Sequence, residues 1–213
     1  MMQKYVDFAL EISVIAARNT KGDIRINPVG ENIHGDNILH TTVVPARVST
    51  KVCARAQDIA YAALDVLKGA GVFGIEMFVT KDDRVLINEI APRVHNTGHH
   101  TIQSSATSQF EQHLRAITGM PLGSTEMIYP RAVMHNIIGE QGYSGAYKLS
   151  VQTERFGKRG AYLHMYNKPE VRPGRKMGHF TLTDELNRWT SEQLIEQAHE
   201  LRKAILFTPV AAN

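Results

Sequence analysis

The stretch Gly74–His99, GIEMFVTKDDRVLINEIAPRVHNTGH, constrains the fold of this chain more than any other. Two apolar runs, Val72–Val79 and Val85–Ile90, flank the charged tetrapeptide Lys81-Asp82-Asp83-Arg84. Rich in Val, Ile, Phe and Leu and split by a polar break, they predict a β-hairpin. With the tetrapeptide as the loop, Thr80 pairs with Val85, Phe78 with Ile87, and Glu76 with Glu89. The two carboxylates then face each other, roughly 5 Å apart at Cβ. Like charges so placed destabilise a sheet unless something compensates. A hard divalent cation such as magnesium, held by one or two carboxylates plus substrate phosphates, is the simplest compensation. The plainer alternative is a register shifted by one, or a lysine or arginine for each glutamate. Against it, both glutamates interrupt strands that read as buried, where an ionised group needs a partner.

Pro92 stops the second strand by removing a ladder donor. The loop behind it collects Arg93, His95, Asn96, Gly98, His99 and His100. No His-Glu-x-x-His pattern or cysteine pair accompanies the histidines, so zinc is not expected. Hydrogen bonding to an anionic substrate and ordinary satisfaction within the loop both stay open.

The rest of the chain frames this region. Glu11–Arg18 reads as a strand, Asn19–Asp23 as its turn and Ile24–Val29 as the return. Glu31–Asn37 reads as a polar loop and Ile38–Pro45 as extended. Ser49 caps a predicted helix running to Lys68, closed by Gly69 and Gly71. Thr101–Thr118 predicts a second helix. Beyond a subdomain boundary near Met120–Tyr129, Arg131–Ile138, Ala161–Tyr166 and His179–Leu182 read as strands. Ser191–Leu206 is the closing amphipathic helix, capped by Ser191. Between the last two strands, Lys168, Arg172, Arg175 and Lys176 crowd a proline-bent loop. It reads as a phosphate site or as a solvated basic loop.

The fold class is therefore α+β. A first unit spans 1–120 and a smaller β-rich unit with its closing helix spans 121–213. Cys53 is the only cysteine, which excludes an intrachain disulfide and favours a reducing, cytoplasmic setting. No apolar run reaches spanning length, so no membrane partner is expected. A net charge of +3 suits an anionic small molecule as well as nucleic acid. Nucleic acid is not expected, because further basic faces with exposed aromatics are missing. A Walker-type glycine loop and a Gly-x-Ser-x-Gly elbow are also absent.

The run INEIAPRVHNTGHHTIQSSATSQFEQHLRAITGMPLGST resembles the ATP-grasp ligases of purine biosynthesis, nearest to the 5-(carboxyamino)imidazole ribonucleotide synthetase family. EISVIAARNTKGDI, PVGENIHGDNIL and VRPGRKMGH resemble the same family in the same order. The resemblance implies an ATP-grasp C-terminal lobe followed by a small β-rich subdomain. It implies ATP and magnesium as cofactors, with bicarbonate and 5-aminoimidazole ribonucleotide as substrates. Glu76 and Glu89 would hold the metal, with Asn88 beside it. Gln3, Lys4, Tyr5 and Val6 would form the adenine-reading hinge, Glu11 would meet the ribose, and His34 would lie in the nucleotide site. Arg93, His95 and Asn96 would face bicarbonate and the aminoimidazole. Lys168 and Arg175 would hold the ribonucleotide phosphate, with Arg172 in support. The family's hinge usually opens with glutamate, where this chain has Gln3. The chain starts at the hinge, so the resemblance implies a C-terminal portion that is inactive alone. It also implies a homodimer, with apolar surface bare around the Glu11–Val29 hairpin. Another ATP-grasp carboxylate–amine ligase, or a non-catalytic remnant, is the alternative.

Overall fold

The computed structural model describes residues 5–156 and 160–210. Its spine is strand β1 (Phe8–Arg18), buried continuously from Ile12 to Ala17 because both of its faces are covered. The chain folds back through β2 (Ile24–Ile26), which pairs only with the end of β1. Next comes β3 (Gly30–Gly35), and this corrects the expected polar loop over Glu31–Asn37. The polar side chains there have partners inside the sheet. Asn32 Oδ1 accepts from the Ser13 and Thr42 hydroxyls, and Glu31 is gripped by the Arg47 guanidinium at 2.5 Å. Polar composition thus concealed an inner strand.

β4 (Ile38–Val44) leads to α1 (Thr50–Leu67), capped as expected by Ser49 Oγ accepting from Val52 N–H. Lys68, in the left-handed region at φ 56°, ends the helix one residue before the expected glycines. Along α1 the residues Val52, Ala56, Ala60 and Leu64 form one stripe, packed on Ile12, Val14, Phe73, Ile75 and Met77. β5 (Gly71–Thr80) and β6 (Val85–Ala91) form the predicted hairpin.

The second expected helix is split into α2 (Thr101–Ser104) and α3 (Gln109–Ile117). Ser105 turns extended and bridges Met127, and Ser108 then caps α3 by accepting from Glu111 N–H. A side-chain cap restarts the helix where periodicity suggested continuity. The chain continues through β7 (Ala132–Ile138), β8 (Gly145–Val151), α4 (Thr153–Phe156), β9 (Ala161–Met165), β10 (Glu170–Val171) and β11 (Lys176–Thr183). It closes with α5 (Ser191–Arg202) and β12 (Ile205–Pro209). Thr190 rather than Ser191 caps α5, in a reciprocal box with Gln193, and Leu206 lies in a strand rather than the helix.

Among the described residues one nine-stranded antiparallel sheet runs β6-β5-β1-β3-β4-β7-β11-β9, with β2 beside β1. β10, β8 and β12 form a separate small sheet. β4 pairs directly with β7, Val43 opposite Val133, so the large sheet is continuous across the Met120–Tyr129 connection. α5 covers the second half of its one face, packing Leu194, Ala198 and Leu201 against Val133, Ile137 and Phe180. The Glu11–Val29 hairpin is not bare, since Ile12, Val14 and Ile15 are buried. Exposed apolar side chains lie instead on α1 and β6, at Val66, Leu67 and Ile87, and along α3 at Leu114 and Ile117.

Candidate active site

Glu76 and Glu89 are opposite each other on β5 and β6, as the sequence predicted, but by a different route. The loop is Lys81–Asp83, with Asp83 left-handed at φ 61°, and Thr80 N–H donates to the Arg84 carbonyl at 2.9 Å. A turn followed by one left-handed residue is a common three-residue hairpin closure. It sets Val79 opposite Val85 and Phe78 opposite Leu86, one position off the expected register. A bulge between Glu76 and Met77 then leaves Asn88 unpaired and restores Glu76 to Glu89. The strands also differ in burial. β6 is the edge of the sheet, with Leu86, Ile87 and Glu89 exposed, whereas Glu76 is half-buried. Burial raises the Glu76 carboxyl above its ordinary range, and the nearby Glu89 and Glu11 charges raise it further.

One ligand atom from each of Glu76, Glu89 and His95 falls within 4.8 Å of the others. His95 is clamped through its backbone: its N–H donates to Gln109 Oε1 at 2.9 Å, and Gln109 Nε2 donates to its carbonyl at 2.8 Å. Gly74 allows this approach, since a Cβ there would meet His95 Cβ at 2.5 Å. His95 Nδ1 lies 3.0 Å from Thr97 Oγ1, and Nε2 lies 3.8 Å from Glu76 Oε1. Burial pushes the ring down to about 4, helped by the Arg93 and Lys176 charges, so it is neutral at pH 7. Two carboxylates and a neutral imidazole are a donor set for a cation, and the carboxylate oxygens suit a hard one.

Facing this group is Lys176, the first residue of β11. It belonged to the basic loop of the sequence but not to the expected site residues. Its Nζ donates to Asn96 Oδ1 at 2.8 Å. Burial lowers this amine's pKa, Glu76 opposes that shift, and Lys168 and Arg93 add to it. Lys168 Nζ donates to the Lys176 carbonyl at 2.6 Å and sits 5.5 Å over the Tyr166 ring. Arg93, His95, Asn96 and Lys168 thus gather around Lys176. Arg172 and Arg175 turn to Glu170 instead, through its carboxylate at 2.9 Å and its carbonyl at 2.9 Å, although the Arg175 charge reaches Lys168. Glu11 and His34 meet on β1 and β3, with Nδ1 and Oε2 2.7 Å apart. Burial lowers His34, opposed by Glu11. Tyr5 is exposed and lines a shallow recess with Val6, Thr80 and Leu86. Gln3 and Lys4 lie outside the described residues.

Sequence reasoning also missed a column of rings behind the site. His164 and His99 stack on the two faces of His179, at 4.6 and 4.7 Å. Tyr166 Oη lies 2.9 Å from His179 Nδ1, and Gln103 Nε2 lies 2.9 Å from His164 Nε2. Only the pairing of β9 with β11, His164 opposite His179, makes the column visible.

An antiparallel sheet that sets facing carboxylates opposite clustered cations defines a class, and the chain belongs to the ATP-grasp family, whose domain matches residues 1–110. Residues 132–193 match the phosphoribosylaminoimidazole carboxylase C-terminal domain. Among its relatives, the chain is 41% identical over 193 residues to the N5-carboxyaminoimidazole ribonucleotide synthase of Bacillus subtilis, covering 90% of this chain and 49% of that protein. The crystal structure of N5-carboxyaminoimidazole ribonucleotide synthetase from Thermotoga maritima is similar at TM-score 0.85 and 45% identity, over 96% of this chain and 54% of that one. The Aspergillus clavatus synthase, solved with ADP and 5-aminoimidazole ribonucleotide, is similar at TM-score 0.80 and 35% identity, over 94% and 53%. The chain thus spans about half the length of these proteins. No described helix is long and apolar enough to cross a membrane.

Proposed function

We propose that this chain serves the ATP- and magnesium-dependent carboxylation of 5-aminoimidazole ribonucleotide by bicarbonate in purine biosynthesis. The observation that carries the reading is the opposition of Glu76 and Glu89 to the cluster of Lys176, Asn96 and Arg93, within one site. A bicarbonate oxygen attacks the γ-phosphorus of ATP, giving carboxyphosphate and ADP. The exocyclic amine of the ribonucleotide then takes the carboxyl carbon, and phosphate leaves.

Glu76 and Glu89 would hold magnesium. The Glu76 carboxyl, raised by burial and by a second carboxylate beside it, marks negative charge that Lys176 only partly offsets. Bound there, magnesium would supply charge neutralisation at the phosphate oxygens. Glu11, fixed by His34, accepts from the ribose hydroxyls of the nucleotide. Arg93 binds the anionic carboxylate donor, Lys176 donates to the ribonucleotide beside it, and neutral His95 offers Nε2 as an acceptor to the incoming amine. Lys168, with Arg175 behind it, carries the ribonucleotide phosphate. A second copy of the chain completes the proposal as a homodimer, which light scattering tests.

The experiment is phosphate release from ATP with bicarbonate and 5-aminoimidazole ribonucleotide. The chain is assayed alone and with a fragment of the Bacillus subtilis relative covering the part it does not match. Substrate-dependent turnover is expected only in the mixture. Turnover with formate and a glycinamide ribonucleotide, and none with bicarbonate, would overturn the substrate assignment.

A further inference from the structure

We propose that Asn136 is a positioning residue of this site, acting through Asn96 on the Lys176 amine. Asn136 is 1% exposed in the middle of β7, between β4 and β11. Its neighbours His135 and Ile137 point into the layer beneath α5, so its own side chain lies on the opposite face, with its register partner His179. There it forms a reciprocal amide pair with Asn96. Asn96 Nδ2 donates to Asn136 Oδ1 at 3.0 Å, and Asn136 Nδ2 donates to Asn96 Oδ1 at 2.7 Å. Asn136 Nδ2 also donates to the Leu39 carbonyl on β4 at 2.9 Å.

That last bond fixes which way the pair faces. With Asn136 turned over, its carbonyl oxygen would meet the Leu39 carbonyl and a donor would be lost. Asn136 therefore presents N–H to Asn96 Oδ1, and Asn96 must present that oxygen inward. The same oxygen accepts from Lys176 Nζ at 2.8 Å. A carbonyl oxygen has two lone pairs, and both are used. One Asn96 N–H is also used, so a single N–H remains for any ligand. Asn96 is thus chiefly a relay, and the group it aims is the ammonium of Lys176. The relay joins segments 40 and 80 residues apart and ties the loop after the hairpin to the far half of the sheet. In naming Lys176 as ligand-facing, the inference rests on the function proposed above; the relay itself does not.

The test is nuclear magnetic resonance on the full chain. In the wild type, the side-chain amide protons of Asn96 and Asn136 should exchange slowly and the Lys176 side chain should be ordered. Asn136→Ala should loosen Lys176 as much as Asn96→Ala does, to the mobility of exposed Lys51, while backbone signals of β1 and β5 stay in place. Asn136→Asp, which keeps the shape and an acceptor but removes the donor, repeats the test should the alanine variant fail to fold. Fast amide exchange in the wild type, or a Lys176 as ordered in either Asn136 variant as in the wild type, would overturn the proposal. Calorimetry with 5-aminoimidazole ribonucleotide then separates the two readings. Asn136→Ala should weaken binding by about tenfold, the loss of one charge-assisted hydrogen bond. Absence of binding by the wild type would sink the substrate reading and leave the relay to be judged by the order of Lys176. Equal binding by wild type and variant would remove Asn136 from the site's function.

Discussion

The carboxylate hairpin and the Asn96–Asn136–Lys176 relay lie against one sheet but are built in opposite ways. The hairpin is local. Glu76 and Glu89 meet because a short loop returns one strand onto the next, and a bulge at Asn88 corrects the register. The relay is assembled from a loop, an inner strand and the start of a late strand, and exists only once β4, β7 and β11 are side by side. The hairpin sits at an exposed edge and concentrates negative charge. The relay is anchored on buried Asn136, neutral apart from one half-buried amine, and backed by stacked histidines. Metal affinity should therefore depend on a few residues near one turn, whereas substrate geometry should report the integrity of the whole sheet.

The largest expected effect of this contrast is its response to acid. Burial first, then neighbouring histidines, pushes His179 down to about 3 and His99 to about 4, and burial with the nearby His199, His40 and Arg202 takes His135 to about 3. An unfolded chain takes up these protons near 6.5, but the folded one takes them up only far below. Stability from these rings is thus complete above 6.5 and is lost as pH falls toward the folded values. Each unit of difference is worth about 1.4 kcal/mol, so the set should remove several kcal/mol by about pH 5. The melting temperature should fall steeply over that range. Hydrogen exchange should open β7, β9 and β11 before β1 and β5. A flat melting curve from pH 6.5 to about 5 would erase the contrast.

Lys176→Met sharpens it next. Removing a charge-assisted donor should weaken ribonucleotide binding by roughly ten- to a hundredfold. Metal binding at the hairpin should hold or tighten, because the Lys176 charge that opposes a cation beside Glu76 is gone, and stability should hold or rise because a half-buried charge is removed. Calorimetry with each ligand separately checks this, and a parallel loss of both would join the two regions functionally.

Glu76→Gln and Glu89→Gln divide the hairpin itself. Both should abolish stabilisation by magnesium. They should differ without metal. A carboxyl whose pKa is raised costs the folded state at every pH above that value, so the neutral amide at 76 should raise stability at pH 7. The exposed Glu89 should show little change. Identical melting shifts in the two metal-free variants would contradict the asymmetry of burial.

The smallest effect is at the turn. Asp83 is left-handed, and a β-branched side chain there costs about 1–2 kcal/mol. Asp83→Val should lower stability by about that amount and broaden the β6 signals, leaving Lys176 as ordered as before. Loosening of Lys176 would show that the hairpin and the relay are not independent.

Much of this molecule was legible in its residues because much of it is locally encoded. The runs before and after Lys81–Arg84 are strands, Ser49 does cap the helix after it, and the stripe from Val52 to Leu64 is the buried one. The pairing of Glu76 with Glu89 was read correctly, although the ladder on the loop side is displaced by one, since a left-handed Asp83 is not visible in a list of charges. Failures came where long-range partners overrode local character. Glu31 and Asn32 look like loop residues until Arg47, Ser13 and Thr42 satisfy them inside a sheet. Thr101–Thr118 looks like one helix until Met127 draws Ser105 into a bridge.

The sequence alone determined the facing carboxylates, because hairpin pairing depends on neighbours along the chain and on one turn. It also placed Arg93, His95, Asn96 and Lys168 among the residues to watch, through motifs. Only the tertiary structure selected Lys176 from its basic loop, turned Arg172 and Arg175 toward Glu170, and brought Asn136 under Asn96. The physical reason is sequence distance. A contact across 40 or 80 residues depends on strand order and register summed over the whole sheet, and no short window of residues contains that information.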